Sequence, residues 1–161
     1  KLYNNFIKEF RKLRQIIIDL YNESGDYETG DIDSVILEIM SLCEDSYINY
    51  TNENNETILF YLLREYYEHD FYEEVDFNGC RYSLMSIFDS VILNKNFNID
   101  IKNNDGIDAY CLCKDLSGYN DDDEDEDYDE YDEDILFYKI SYRRKLNKKN
   151  KSIQQTSKIG K

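Results

Sequence analysis

The sequence contains no proline and no tryptophan, and its 161 residues include only six glycines, four cysteines and one histidine. Because proline interrupts helices more strongly than any other residue, its absence favours long helical segments. No stretch approaches the roughly 18 consecutive apolar residues of a membrane-spanning helix, and the first residues contain no apolar signal segment. We therefore expect a helix-rich protein that is located in the cytoplasm and has no membrane partner.

Few residues of this chain could carry catalysis or bind a metal. Cys111 and Cys113 form half of a zinc-site pattern, but no second pair of ligands is spaced to complete it. His69 is the single histidine, and no cysteine lies in a signature of a cysteine nucleophile. The glycines are scattered rather than gathered in a phosphate-binding loop. We therefore predict no enzymatic activity, no cofactor and no metal, and we interpret the four cysteines as buried free thiols of a reducing compartment.

Acidic residues dominate the charge, and they are unevenly distributed. The net charge is −16; residues 121–134 contain twelve acids and two tyrosines, whereas residues 139–161 contain nine basic residues and no acid. The first 120 residues still carry a charge of −13. This charge argues against nucleic acid as a partner and favours another protein with a basic surface. We predict that residues 119–134 form a disordered acidic loop, because like charges repel one another.

The basic C-terminal part has several interpretations that the sequence leaves open. It could be a solvated tail, an arm that binds nucleic acid, a nuclear import signal, or a segment that folds back on the acidic loop and partly neutralises it. The residues of that signal would be Arg143, Arg144, Lys145, Lys148 and Lys149. We predict an outer helix over residues 135–147, followed by a disordered basic tail over residues 148–161.

Apolar residues recur at steps of three and four in two N-terminal segments. The first stripe consists of Leu2, Phe6, Phe10, Leu13, Ile16 or Ile17, and Leu20. It predicts an amphipathic helix over residues 2–22 that ends in the turn-forming sequence of residues 22–25. A second helix is predicted over residues 32–43, with Asp31 or Asp33 as its N-cap. Its expected buried face consists of Val35, Ile36, Ile39, Met40 and Cys43.

The chain also contains an internal repeat with an offset of 51 residues. Residues 48–59 align with residues 99–110. Further upstream, Ile36 aligns with Ile87, Leu37 with Phe88, and Leu42 with Leu93. Each copy contains a helical pattern, a polar turn and the start of a new helix, and this shared order supports the repeat.

The polar turns contain residues that suit a tight backbone. Gly106 can adopt a positive φ, and Asn54 or Asn55 tolerates the same region better than most side chains. Thr57 and Asp108 are expected to cap the helices that follow, because the first amides of a helix have no partner within it.

These turns resemble the ankyrin repeat, whose corresponding junction reads Asp/Asn-x-x-Gly-x-Thr-Pro-Leu-His-x-Ala. The first copy, residues 52–62, keeps the threonine and the leucine as Thr57 and Leu59. The second copy, residues 103–113, keeps Gly106 and has Asp108 in place of the threonine. Neither copy has the proline or the histidine, and Tyr110 replaces the leucine, so the repeat is degenerate. The resemblance covers about residues 32–115.

The resemblance implies an all-α fold, a short ankyrin-like helical solenoid of about three helix pairs over residues 1–118. Inner helices are expected at 57–67 and 108–117 and an outer helix at 82–95, while the first helix acts as an inner helix that is partnered by 32–43. Since the usual ankyrin period is about 33 residues, each repeat must contain an insertion. We expect the first insertion at residues 69–81. Flanking repeats of a longer chain remain open.

Ankyrin repeats bind other proteins, so the resemblance implies a non-catalytic protein-protein interaction module. The expected partner-binding residues are Tyr50, Asn52, Asn54, Tyr61, Tyr66, Asn103 and Asp105. The residues expected to act structurally, as turn or cap residues, are Asn55, Thr57, Gly106 and Asp108. The alternative is an acidic nuclear or chromatin-associated protein that binds basic partners through residues 119–134.

Overall fold

Helices make up most of the structure. The computed structural model describes residues 1–68, 74–118 and 135–159, with the backbone alone for residue 135 and residues 154–159. In these ranges it contains six helices and one hairpin. The helices are α1 (Leu2–Tyr21), α2 (Thr29–Ser41), α3 (Ile58–Glu68), α4 (Met85–Ile92), α5 (Ala109–Ser117) and α6 (Ile135–Ile159), and the strands are β1 (Glu74–Phe77) and β2 (Cys80–Ser83).

The helices form two rows. Helices α1, α3 and α5 contact one another in that order, and α2, α4 and α6 do the same. Contacts between α1 and α2, α3 and α4, and α5 and α6 join the two rows. Side chains from both rows build one buried cluster, whose largest fully buried members include Phe6, Phe10, Phe60, Phe88 and Phe97.

The predicted residue ranges of α1, α3 and α5 are confirmed. Helix α1 buries Phe6, Phe10, Leu13 and Ile17 and ends at Tyr21. Helices α3 and α5 begin and end within one residue of the expected positions.

Helix α2 differs from its prediction at its N-terminus. It begins at Thr29, and Glu28 holds the N-cap position without a side-chain hydrogen bond. The prediction that Asp31 or Asp33 is the cap is therefore wrong. The helix begins three residues earlier than expected, so Asp31 and Asp33 lie within it, and it ends at Ser41 rather than at residue 43.

The buried face of α2 is also partly different. Ile39 is buried as expected, and Val35 and Ile36 are partly buried, but Met40 is 39% exposed. Cys43 is buried but lies beyond the end of the helix. Successive residues of a helix are rotated by about 100°, so Met40 points away from the face that Ile32 and Ile39 share.

The hairpin is a second difference, because an all-α fold was expected. Strands β1 and β2 pair antiparallel, with Phe77 opposite Cys80. Asn78 and Gly79 connect them with φ angles of 49° and 79°. An Asn-Gly pair suits this turn, which needs positive φ at both residues. The hairpin also delays the start of α4 to Met85, whereas residue 82 was expected.

Helix α6 extends beyond its prediction. The outer helix was expected over residues 135–147 and a disordered tail from residue 148, but α6 continues to Ile159. The prediction of a disordered tail is therefore wrong for residues 148–159. No proline or glycine interrupts the sequence between residues 135 and 159, so nothing in it ends the helix earlier.

Some predictions fall outside the described residues. These are the acidic loop, residues 119–134, the first part of the expected insertion, residues 69–73, and residues 160–161. Among the described helices, none combines the length and the apolar character that crossing a membrane requires.

Candidate protein-interaction surface

Two turns repeat the same hydrogen bonds 51 residues apart. In the first turn, residues 52–56, the amide of Asn52 donates to the carbonyl of Glu56 at 3.0 Å. The Oδ1 atom of Asn52 accepts from the amides of Asn54 and Glu56, both at 3.0 Å. This side chain closes the turn from within, as asparagine commonly does.

The second turn, residues 103–107, has the same arrangement. The amide of Asn103 donates to the carbonyl of Ile107 at 2.9 Å, and its Oδ1 accepts from the amides of Asp105 and Ile107. Gly106 has a φ of 77°, and Asn55 has a φ of 61° at the equivalent position. The offset of 51 residues is therefore confirmed for the turns, and so are the expected roles of Gly106 and Asn55.

The helix caps after the turns are less alike. The carboxylate of Asp108 accepts from the amide of Cys111 at 2.8 Å, which confirms it as the N-cap of α5. Thr57 is buried directly before α3. Its role as a cap stays a prediction.

The upstream pairs occupy equivalent places but differ in burial. Leu42 and Leu93 are the C-cap residues of α2 and α4, so the offset of 51 residues extends to the ends of these helices. However, Leu42 is buried while Leu93 is 63% exposed, and Leu37 is 69% exposed while Phe88 is fully buried. The positions are therefore equivalent, although their burial is not.

The tips of the two turns lie side by side. The amide of Asn104 donates to the carbonyl of Asn54 at 2.9 Å, and its Nδ2 donates to the carbonyl of Glu53 at 3.2 Å. In the opposite direction, Asn55 Nδ2 donates to the carbonyl of Lys102 at 2.8 Å. These bonds fix the second turn against the first.

The same pairing continues behind the tips. We call residues 43–56 the first turn segment and residues 94–107 the second. Asn94 Nδ2 donates to the carbonyl of Cys43 at 3.1 Å, and Asn96 Nδ2 donates to that of Asp45 at 3.4 Å. Asn49 Nδ2 returns a bond to the carbonyl of Asn96 at 2.8 Å. Asparagine side chains therefore hold the two segments together along their length.

An ion pair between the buried Glu56 and the partly exposed Arg64 joins the first turn to α3. Glu56 is only 4% exposed, and its two carboxylate oxygens accept from Arg64 at 2.8 and 2.7 Å. Asn103 Nδ2 of the second turn donates to the same carboxylate at 3.1 Å. The hydrogen bond from Arg64 is the main reason why the pKa of Glu56 lies below its usual value.

Helix α6 meets the second turn segment through a buried arginine. Arg143 is 6% exposed, and its Nη2 donates to the carbonyls of Asn94 and Phe97 at 2.7 and 3.1 Å. Burial lowers the pKa of Arg143. Arg144 lies 4.2 Å from the centre of the Tyr110 ring. Two residues of the predicted import signal are therefore engaged in packing, while Lys145, Lys148 and Lys149 are exposed.

Three of the expected partner-binding residues are tyrosines that pack inward. Tyr61 is buried edge-on against Phe10, with ring centres 5.9 Å apart. The Tyr50 hydroxyl donates to the carbonyl of Leu42 at 3.0 Å, and burial raises its pKa. Tyr66 packs against Phe88. These rings belong to the core and its border, because apolar contact with neighbours covers them.

The four polar candidates all lie on the two turns. Asn52 and Asn103 hold the backbone of their turns, as described above. Asn54 and Asp105 are exposed at the tips, next to Glu53 and Asn104. We call Glu53, Asn54, Asn104 and Asp105 the tip surface. Sequence reasoning did not select Glu53 and Asn104, although their place beside selected residues of the aligned turns could have indicated them.

The cysteines do not form a site. Cys43 and Cys113 are buried, whereas Cys80 and Cys111 are exposed, so the prediction that all four are buried is wrong. All four are free thiols, and burial raises the pKa of Cys43 to about 12. Within the described residues, no three His, Cys, Asp or Glu side chains are grouped as ligands for a metal ion. His69 lies outside those residues.

Comparison with known proteins identifies no relative of this chain. The chain matches no family model, no curated protein and no solved structure. The assignment of a function therefore depends on the residues and the geometry described above.

Proposed function

We propose that this chain is a non-catalytic protein-binding module, built as a short ankyrin-like solenoid of three helix pairs, and that the tip surface contacts the partner. The observation that carries the proposal is the pair of turns with the same hydrogen bonds 51 residues apart, whose exposed tips lie in contact. Adjacent repeated turns form a continuous surface, which is how repeat proteins recognise partners.

The rigidity of the turns supports this role. Asn52 and Asn103 close their turns internally, and Asn104 joins one turn to the other. The exposed side chains of the tips therefore start from a fixed backbone. A pre-organised surface loses less conformational entropy when it binds, which favours affinity.

The charge of the tip surface indicates the class of partner. Glu53 and Asp105 are exposed carboxylates, and the first 120 residues carry a charge of −13. Complementary charge raises association rates and selects among partners more than it adds affinity. We therefore propose a partner protein with a basic surface. The four free thiols fit a reducing compartment and support our proposal of a cytoplasmic location.

The test uses peptides that are selected on the full chain from a displayed random peptide library. Their Kd is measured for the full chain, for the variant E53K/D105K, and for the control D26K/E68K, which changes the charge equally. Asp26 and Glu68 are exposed near the helix ends that lie away from the tips. We expect Kd to rise about tenfold or more in the tip variant and to change little in the control. Equal Kd values for both variants would exclude the tip surface.

A deletion of residues 119–134 separates this proposal from the acidic nuclear or chromatin-associated alternative. If the selected peptides bind the deletion variant with unchanged Kd, the folded surface is the binding site. If binding and its dependence on salt are both lost, the acidic segment is the binding site instead.

A further inference from the structure

One side of the first turn segment presents backbone carbonyl groups to the second turn segment, and we call this side its edge. Four of its carbonyl groups accept hydrogen bonds from the second segment. The acceptors are the carbonyls of Cys43, Asp45, Glu53 and Asn54, and the donors are Asn94, Asn96 and Asn104. Side-chain amides of asparagine therefore provide most of this cover.

The corresponding edge of the second turn segment is only partly covered. At the offset of 51 residues, the four equivalent carbonyls belong to Asn94, Asn96, Asn104 and Asp105. The carbonyl of Asn94 accepts from Arg143 of α6, whereas that of Asn96 accepts from Asn49 of the first turn segment and so does not belong to the outer edge. Helix α6 also reaches the segment where Lys151 Nζ lies 3.1 Å from Asp100. In the described part of the chain, no group donates to the carbonyls of Asn104 and Asp105, and both residues are exposed.

We propose that these two carbonyls form a docking edge for a segment of another protein that carries amide or basic side chains as donors. The proposal deepens the proposed function and rests on it. The equivalent carbonyls of the first turn, those of Glu53 and Asn54, already accept hydrogen bonds from Asn104 within this chain. The docking edge would repeat this contact one turn further along. A partner would take the place that Asn104 holds on the first turn.

Among the described residues of the second turn, the backbone amides next to these carbonyls are already used, so we propose that the partner supplies the donors. The amide of Asn104 donates to Asn54, that of Asp105 to Asn103 Oδ1, and that of Gly106 to the carbonyl of Asn103. The edge therefore offers acceptors, together with the exposed carboxylate of Asp105. Asparagine, glutamine, lysine and arginine side chains supply the matching donors.

A second copy of this chain does not match the edge. Two such edges face to face would place acceptors against acceptors. In a head-to-tail arrangement, the first turn segment of another copy would need a side-chain donor at the position equivalent to Asn104. It has Glu53 there, and this carboxylate would oppose the open carbonyls.

The edge can be tested by carbonyl ¹³C NMR of the full chain. The probe is a cyclic peptide with the sequence of residues 102–108, which contains the turn that covers the first edge. The control peptide carries Asn104→Asp, which removes the side-chain donor. We expect the probe to move the carbonyl resonances of Asn104 and Asp105 downfield, as accepted hydrogen bonds do, and the control to bind about tenfold more weakly.

The library-selected peptides provide a second measurement on the same resonances. If neither they nor the cyclic probe move the carbonyl resonances of Asn104 and Asp105, the docking edge is overturned. In that case the proposed function still stands if the selected peptides bind and lose affinity in E53K/D105K, and it fails if they do not. If the resonances move with the concentration of the chain alone, a second copy is the occupant and the proposal is overturned.

Discussion

At the scale of single residues, Glu56 is a charged group that connects three parts of the fold. Its carboxylate is buried, receives both nitrogens of the Arg64 fork, and accepts a third bond from Asn103. A buried carboxylate is costly unless it is paired in this way. Glu56 therefore joins the first turn, helix α3 and the second turn in one network.

We expect Glu56→Gln to destabilise the protein by about 2 kcal/mol, because the amide cannot accept the bidentate bond and leaves Arg64 without its partner. Urea unfolding followed by circular dichroism measures the change. The matched control is Glu53→Gln on the same turn, where the side chain is exposed, and its effect should stay within about 0.5 kcal/mol. Equal losses in both variants would contradict the special role of Glu56.

The pKa of Glu56 also predicts how stability depends on pH. This pKa lies below the usual value of 4.5, so the native state favours the ionised form. The resulting stabilisation is fully present above pH 4.5 and is lost as the pH falls through the lowered native pKa. Unfolding free energies measured from pH 7 to pH 3 should therefore fall more steeply for the natural chain than for Glu56→Gln. Parallel curves would show that Glu56 is not the titrating group.

The sequence predicted residues whose role is local and missed those whose role depends on the fold. Gly106, Asn55 and Asp108 were predicted because turn geometry and helix capping depend on a few neighbouring residues. The bond between Glu56 and Asn103 joins residues 47 positions apart. Its existence follows from the stacking of the two turns, which no local pattern encodes.

At the scale of elements, α5 depends on its cap because it is only nine residues long. We expect Asp108→Ala to cost about 1 kcal/mol, since the amide of Cys111 loses its acceptor. The control Asp105→Ala removes a carboxylate of the preceding turn whose side chain caps nothing. Amide hydrogen exchange should show faster exchange at Cys111 in the first variant and unchanged exchange in the second. Equal exchange in both would mean that packing alone holds the start of α5.

Two elements escaped prediction for different physical reasons. The hairpin is encoded locally by Asn78 and Gly79, but the resemblance to an ankyrin repeat led us to interpret residues 69–81 as an insertion and to assign no strand there. The end of α6 was misjudged because a basic, polar sequence was interpreted as disordered. Charge alone does not melt a helix that has no proline or glycine and is anchored at its N-terminal half by the buried Leu136 and Ile140.

At the scale of the whole molecule, bonds between side chains join each helix pair to the next. Arg14 pairs with Glu65 between the first and second pairs. Lys139 and Asp89 are 2.6 Å apart between the second and third. Each of these contacts joins residues 50 or 51 positions apart, so the helix pairs stack in sequence order. In such an arrangement, stability is a sum of the pairs and of the interfaces between neighbours.

This arrangement predicts how truncation acts. Removing the chain after residue 118 deletes α6, and with it the buried Leu136 and Ile140 and the bonds from Arg143 to the second turn segment. We expect a lower Tm and loss of hydrogen-exchange protection in α4 and α5, which contact α6, while α1 keeps more protection because its most extensive helix contact is with α2. The control is truncation after residue 152, which keeps the contact of Lys151 with Asp100 and should change Tm little. If the chain truncated at residue 118 melted like the full chain, the contacts of α6 with α4 and α5 would not contribute to stability. The basic C-terminal half of α6 would then have a role in binding a partner rather than in stabilising the other helices.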